Sequence, residues 1–292
     1  MKSRRAAFVA LSVALILAST GLIAFAHTSS RTVIDAPNRV GMTAKPGGDV
    51  RWILPGLREL DPDVFGTPDN PLRAELLPLK MRTVLDDGTY VAAKPDGTPM
   101  PTPFSNNWAP TTGTARVKVI DVTSVSGSST LDKIDAVFEF TSPPDENGLV
   151  HEYRLVVRKA LPEIPDHENF GGVGINALQH GATGIGTPLM PQLMSFIAFW
   201  GAADLYVDGE LAGGKRFVHF MLSERVRDAD YNLVFNAGVD PEGPLQAHLI
   251  LPPVALTKDG PSPSAVPTSF ILPNGSPQPF LHIMYETVTV HR

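Results

Sequence analysis

Short apolar or alternating runs recur along the chain, and clusters of turn residues separate them. Strict alternation indicates a strand with one buried face, and a short apolar run between turn residues is typical of a strand buried on both faces. The 28 prolines and 25 glycines come too often for long helices, because proline removes a backbone donor and glycine costs conformational entropy. The predicted strands span residues 50–54, 81–85, 90–93, 115–122, 134–140, 150–157, 195–200, 204–207, 216–222, 231–235, 247–251, 269–272 and 280–290.

The connections between these strands are of two kinds. Asp-Gly pairs supply the left-handed conformation that tight β-turns need. Such pairs occur at 87–88, 96–97 and 208–209. Clustered Pro, Gly, Ser and Asn predict long surface loops at 94–114 and 259–279, and a glycine-rich loop at 165–191. The pattern therefore predicts a mainly β fold, a sandwich or barrel with long Pro/Gly-rich loops, forming one domain over residues 27–292.

The first 26 residues have the pattern of an export signal. A basic head at 1–5 precedes an uncharged apolar run at 6–25, which predicts an export helix. Small residues at Ala24 and Ala26 predict cleavage that leaves His27 first, and the alternative is an uncleaved helix that anchors the protein in a membrane. In both cases the basic head predicts that the body lies outside the cytoplasm, either periplasmic or secreted.

Composition excludes several kinds of site. The chain has no cysteine, so disulfides, thiolate metal sites and a cysteine nucleophile are excluded. A net charge of -6 gives no basic surface for nucleic acid, so we expect no nucleic-acid partner. The sequence has no G-x-S-x-G elbow, Walker loop or H-E-x-x-H motif, and these observations leave open whether the protein is an enzyme.

Three histidines lie inside predicted strands: His219 in FVHFML, His248 in QAHLIL and His282 in FLHIMYE. Because strand side chains alternate between faces, His219 shares a face with Met221, and His282 shares a face with Met284. Thioether sulfur favours Cu(I), and imidazole binds copper in both oxidation states. The pattern therefore predicts a copper site formed by these five residues.

The H-x-M strand pair resembles the copper motif of small periplasmic copper chaperones with a cupredoxin-like fold. The resemblance implies that His219 with Met221, or His282 with Met284, would ligate copper. A second resemblance is to the histidine brace of copper monooxygenases, since a mature N-terminus at His27 would offer an amino group and an imidazole together.

Other interpretations of these residues stay open. A histidine on a half-buried strand is commonly a hydrogen-bonded core residue, and methionine is a common gap filler. His180, in the glycine-rich segment QHGAT, is a further candidate ligand or an ordinary loop residue. If the three histidine strands are neighbours and their histidine faces turn inward, the imidazole nitrogens would converge on one point. A shared metal would bring the rings within about 5 Å of one another.

The leading hypothesis is an extracytoplasmic metal-binding protein whose partner is a metal ion or another small ligand. The first alternative is a non-catalytic β-scaffold that serves as a binding or structural module of the cell envelope. The second is a secreted enzyme without a recognisable motif. Contact with a membrane is expected only through the N-terminal segment, if that segment is retained.

Overall fold

The computed structural model describes residues 40–122, 131–161, 172–183, 185–186, 190–235 and 238–291. The predicted export segment at 1–26 and the predicted N-terminal His27 lie outside these ranges. Helix within them is limited to α1 (Pro62–Phe65) and one 3-10 turn (Leu79–Met81). Neither has the length needed to span a membrane.

Strands make up most of the regular structure in the same ranges, as the sequence pattern predicts. Their bounds are β1 (Val40–Ile53), β2 (Gly56–Leu57), β3 (Gly66–Thr67), β4 (Asn70–Pro71), β5 (Arg82–Val84), β6 (Tyr90–Ala92), β7 (Pro101–Thr102), β8 (Trp108–Asp121), β9 (Lys133–Thr141), β10 (Glu152–Ala160), β11 (Val173–Gln179), β12 (Leu193–Val207), β13 (Glu210–Leu211), β14 (Arg216–Glu224), β15 (Leu245–Leu251), β16 (Val254–Thr257), β17 (Gly260–Pro263) and β18 (Leu281–His291).

Eight of these strands close into an antiparallel barrel with additional strands outside it. Around the barrel the order is β12, β10, β9, β8, β1, β18, β15 and β14, and β14 pairs again with β12. The long strand β12 makes this closure possible, because its first half pairs with β11 and its second half pairs with β10, while β14 runs along its other edge. The prediction of a mainly β fold is confirmed. Of the two architectures that the sequence predicts, sandwich and barrel, the structure shows the barrel.

Two predicted strands are one continuous strand. The runs at 195–200 and 204–207 both belong to β12, and Gly201 lies between them. A side chain at Gly201 would bring its Cβ within 2.7 Å of Val157 Cγ1, so this glycine permits the close approach of β10 where a bulge interrupts the pairing. The glycine therefore marks a tight contact between strands and not a turn.

Other predicted strand and loop boundaries differ from the observed ones, because hydrogen-bonded pairing between strands outweighs the local composition of the sequence. The segments 231–235 and 269–272 are not strands, and Tyr231 and Ser269 take positive φ angles of 72° and 57°. Strand β11 lies inside the predicted glycine-rich loop. The predicted loop at 94–114 ends early because β8 begins at Trp108, and β17 occupies the start of the loop predicted at 259–279.

The barrel interior holds the main hydrophobic core. Alternation in β9 directs Ile134, Ala136 and Phe138 inward while the residues between them are more exposed. Strand β14 has no such alternation, since all nine of its residues are buried. The outer face of the barrel is therefore exposed along β8 to β10 and covered along β14 and β15.

Two segments cover that outer face. We call residues 54–107 the insertion; it contains α1 and a small core of its own around Phe65. We call residues 225–235 the strap. The two segments meet where Phe65 packs edge-on against Phe235, with ring centroids 6.2 Å apart. Together with Ile185 they enclose a buried layer between the barrel wall and its cover.

Candidate metal centre

Strand register brings the predicted strand histidines together. Strand β15 lies between β14 and β18, and His248 on β15 is directly opposite both Met221 and Met284. His219 and His282 are both opposite Ile250, one pair further along the same face. Directly opposed residues in an antiparallel pair project on the same side of the sheet. All five predicted strand ligands therefore share one face of three adjacent strands.

That face points away from the barrel interior. The alternate residues of β14, Val218, Phe220 and Leu222, belong to the interior core, so His219 and Met221 face outward. Of the two conditions for convergence, the three strands are neighbours, but their histidine faces turn outward from the barrel. The layer is nevertheless buried, because the insertion and the strap lie over it.

The imidazole rings are close neighbours. The ring centroid of His248 lies 5.3 Å from that of His219 and 5.6 Å from that of His282. With metal–nitrogen bonds of about 2 Å, two imidazoles that share one tetrahedral ion have centroids roughly 5 Å apart. Each adjacent pair is thus spaced for one shared ion, with His248 as the common member.

Backbone hydrogen bonds set the orientation of two of these rings. His219 Nδ1 lies 3.0 Å from the carbonyl oxygen of Phe199, and His282 Nδ1 lies 2.6 Å from that of Pro103. A carbonyl only accepts, so each Nδ1 carries the proton and donates, and a neutral ring then has its lone pair on Nε2. Metal-binding histidines are commonly held in this way through the ring nitrogen that does not bind the metal.

Two ring nitrogens in the layer are buried polar atoms without a partner. The Nε2 atoms of His248 and His282 have no hydrogen-bond partner within the described part of the chain. Burying a polar atom without a partner costs free energy. These two atoms are therefore candidates for contact with a ligand.

Burial favours the neutral form of His248 and His282. The pKa of His282 is lowered to about 3, mainly because burial removes the hydration of the charged ring. The hydrogen bond to Pro103 raises this pKa, and the charge of Arg227 lowers it. Burial is also the first cause that lowers the pKa of His248 well below its ordinary value. The neighbouring groups that lower it further are His219, His282, His180 and Arg227. Neutral imidazole is the form that binds metals.

His180 also belongs to this layer and is not an ordinary loop residue. It follows β11 directly, is only 7% exposed, and acts electrostatically on His248. Its backbone takes a φ of 63°, and a Cβ on Gly186 would lie 2.7 Å from its ring atoms Cε1 and Nδ1. The glycine-rich sequence here lets the chain pass closely over the imidazole.

The two methionines complete the layer. Met221 packs in a cluster with Leu193, Ala198 and Val226, and Met284 packs with Ile53 and Tyr231. Among the described residues, no three His, Asp or Glu side chains form a group that could hold a metal ion. A metal in this layer would therefore combine at most two imidazoles with ligands of another kind, and the thioethers opposite His248 are of that kind.

A second polar cluster, which the sequence interpretation missed, fixes the strap to the barrel. Glu286 forms ion pairs with Arg51 at 3.3 Å and Arg225 at 3.1 Å, and it accepts a 2.7 Å hydrogen bond from the Tyr231 hydroxyl. The Arg51 guanidinium lies 3.9 Å from the ring centroid of Trp108 and 4.2 Å from that of Tyr231. Trp108, which is 37% exposed, therefore stacks on an arginine.

A cleft of about 440 Å³ lies between the insertion and the strap. Phe104 and Arg227 are among its lining residues, and the Phe104 ring meets the His282 ring with centroids 5.9 Å apart. The cleft thus lies next to the histidine layer, and Phe104 stands between the cleft and His282. A larger groove of about 760 Å³ crosses β8, β9 and β10 and contains none of the predicted site residues.

No protein-family profile, curated protein or solved structure matches the chain. One sequence signal could have located the layer in advance: the run Arg216–Glu224 is almost uninterruptedly apolar and yet carries a histidine. Strands that are buried on both faces have this pattern. Residues of the strap, such as Arg227 and Tyr231, have no comparable signal.

Proposed function

We propose that the protein is an extracytoplasmic metal-binding protein that holds copper in the buried layer formed by His180, His219, His248, His282, Met221 and Met284. The observation that carries the proposal is the position of His248. Its ring lies 5.3 Å and 5.6 Å from two other imidazoles, and its strand register sets it opposite two thioethers. Extracytoplasmic location is part of the proposal and rests on the predicted export signal.

The chemistry of the layer supports a soft cation. The donors are imidazole nitrogens and thioether sulfurs, which suit copper better than Mg²⁺ or Ca²⁺. The Nε2 atom of His282 lacks a partner in the described part of the chain and is an acceptor, because Nδ1 of the same ring donates to Pro103, so it favours a cation over an anion. The cleft that Phe104 lines is the opening to solvent that we propose for metal entry.

Copper uptake by matched variants tests the proposal. The purified protein is titrated with Cu(I) under anaerobic conditions against a chromogenic chelator, and His248→Leu is compared with His151→Leu. His151 pairs with Asp208 on another part of the barrel, so it serves as the control. We expect one Cu(I) per chain in the parent and in His151→Leu, and loss of binding in His248→Leu.

Stability of the same variants separates a ligand from a structural residue. Replacing a buried polar side chain that has an atom without a partner by an apolar side chain of similar size is nearly neutral or stabilising. We therefore expect His248→Leu to keep the metal-free stability of the parent while losing copper. A parent protein that binds no Cu(I) would reject the proposal.

A further inference from the structure

In the part of the chain that the structure describes, the carboxylates beside the histidine layer, Glu286 and Glu224, already have polar partners. Glu286, on the same face of β18, is engaged by Arg51, Arg225 and the Tyr231 hydroxyl. Glu224 at the end of β14 accepts hydrogen bonds from the backbone of Met194 and Asp240. The donors opposite one another in the layer are thus neutral imidazoles and thioethers.

A permanent positive charge lies beside the same layer. Arg227 lies in the strap between Val226, which packs on Met221, and Tyr231, which packs on Met284. Its guanidinium is 4.6 Å from the ring centroid of Tyr231, and its Nη1 donates a 2.5 Å hydrogen bond to the carbonyl oxygen of that residue. The side chain is buried, and arginine stays protonated in proteins.

The free energy of metal binding in this layer therefore depends on the charge of the ion. The cost of moving an ion from water into a buried site grows with the square of its charge, so it is roughly fourfold larger for a divalent ion than for a monovalent one of equal size. Repulsion from Arg227 grows in direct proportion to the charge. Anionic ligands would offset both effects, and the layer offers none among its His and Met donors.

We infer that the site selects a monovalent soft cation and binds Cu(I) in preference to Cu(II) and Zn(II), with Arg227 as the residue that strengthens the discrimination. The inference rests on the proposed function and adds the oxidation state. An ordinary imidazole site would behave differently, because nitrogen ligands bind Cu(II) more tightly than the other divalent ions of the first row.

Metal selectivity of the purified protein tests the inference. Affinities are measured by competition with chelators for Cu(I) under anaerobic conditions, for Ag(I) as a monovalent ion that does not change oxidation state, and for Cu(II) and Zn(II). We expect Cu(I) and Ag(I) to bind, and the divalent ions to bind weaker by roughly two orders of magnitude or more. Equal affinity for Cu(I) and Zn(II) would overturn the inference but leave metal binding in place, whereas binding of none of the four ions would overturn both.

Charge variants test the part assigned to Arg227. Arg227→Gln removes the charge, Arg227→Lys keeps it, and Arg154→Gln removes an equal charge on the exposed face of β10. Because Coulomb repulsion is proportional to ionic charge, Arg227→Gln should raise the logarithm of the divalent affinity about twice as much as that of the Ag(I) affinity. If Arg227→Gln changed the logarithms of the divalent and Ag(I) affinities equally, Arg227 would have no part in the discrimination. The same conclusion would follow if Arg154→Gln changed these affinities as Arg227→Gln does.

Discussion

The buried neutral histidines should make the protein unstable in mild acid, and His282 allows the effect to be worked through. Its pKa is about 3 in the folded protein because burial disfavours the charged ring. An unfolded chain has a histidine pKa of about 6.5. Below pH 6.5 the unfolded state therefore binds a proton that the folded state does not. The neutral His282 ring therefore makes its full contribution to the free energy of unfolding above pH 6.5, and this contribution is lost as the pH falls toward 3.

The magnitude follows from proton linkage. One proton bound only by the unfolded state lowers the free energy of unfolding by about 1.4 kcal/mol per pH unit, so His282 accounts for about 2.7 kcal/mol between neutral pH and pH 4.5. His248 adds a loss in the same direction, since its pKa is also lowered. A loss of this size is a large part of the stability of an ordinary domain.

Chemical unfolding at a series of pH values measures this loss. His282→Asn removes the titrating ring, and its amide nitrogen can still donate to Pro103. We expect the free energy of unfolding of this variant to fall less steeply than that of the parent, by about 1.4 kcal/mol per pH unit between pH 6 and pH 4. Met284→Leu changes the same layer without changing a titrating group and should keep the parent slope. Equal slopes for His282→Asn and the parent would refute the assignment of a buried neutral ring.

Two further substitutions test the packing around the layer. Gly186→Ala should destabilise the protein by about 1 kcal/mol more than Gly213→Ala in thermal or chemical unfolding. Both glycines have positive φ angles, but only the Cβ at 186 would meet the ring of His180, and equal losses would contradict that contact. Tyr231→Phe should cost about 1–3 kcal/mol, because the carboxylate of Glu286 loses a buried donor. An unchanged unfolding midpoint would show that this hydrogen bond does not fix the strap.

Local sequence patterns could predict the strands but not how they assemble. The alternation that predicts a strand at 134–140 is confirmed by β9 (Lys133–Thr141), because each of its side chains faces either the core or solvent. The break predicted near Gly201 is wrong, since the glycine accommodates a neighbouring strand that is distant in sequence. Strand pairing of this kind depends on contacts that no local window contains.

The sequence could indicate which residues form the candidate site, but it could not show how the strands and the strap bring them together. The H-x-M spacing correctly placed His219 with Met221 and His282 with Met284 on shared faces. Their convergence depends on β15 lying between β14 and β18, which the spacing cannot show. The strap residue Arg227 could not be predicted either, because it reaches the layer through an irregular segment where Tyr231 takes a positive φ.

The environment of bound copper is the most direct test of the account. X-ray absorption at the copper edge of the Cu(I)-loaded protein should show imidazole nitrogen at about 2.0 Å together with sulfur at about 2.3 Å. The chain has no cysteine, so any such sulfur comes from methionine. The sulfur signal should weaken in Met221→Leu and in Met284→Leu, which conserve side-chain volume. Copper surrounded only by nitrogen and oxygen, unchanged in both variants, would contradict the proposed site.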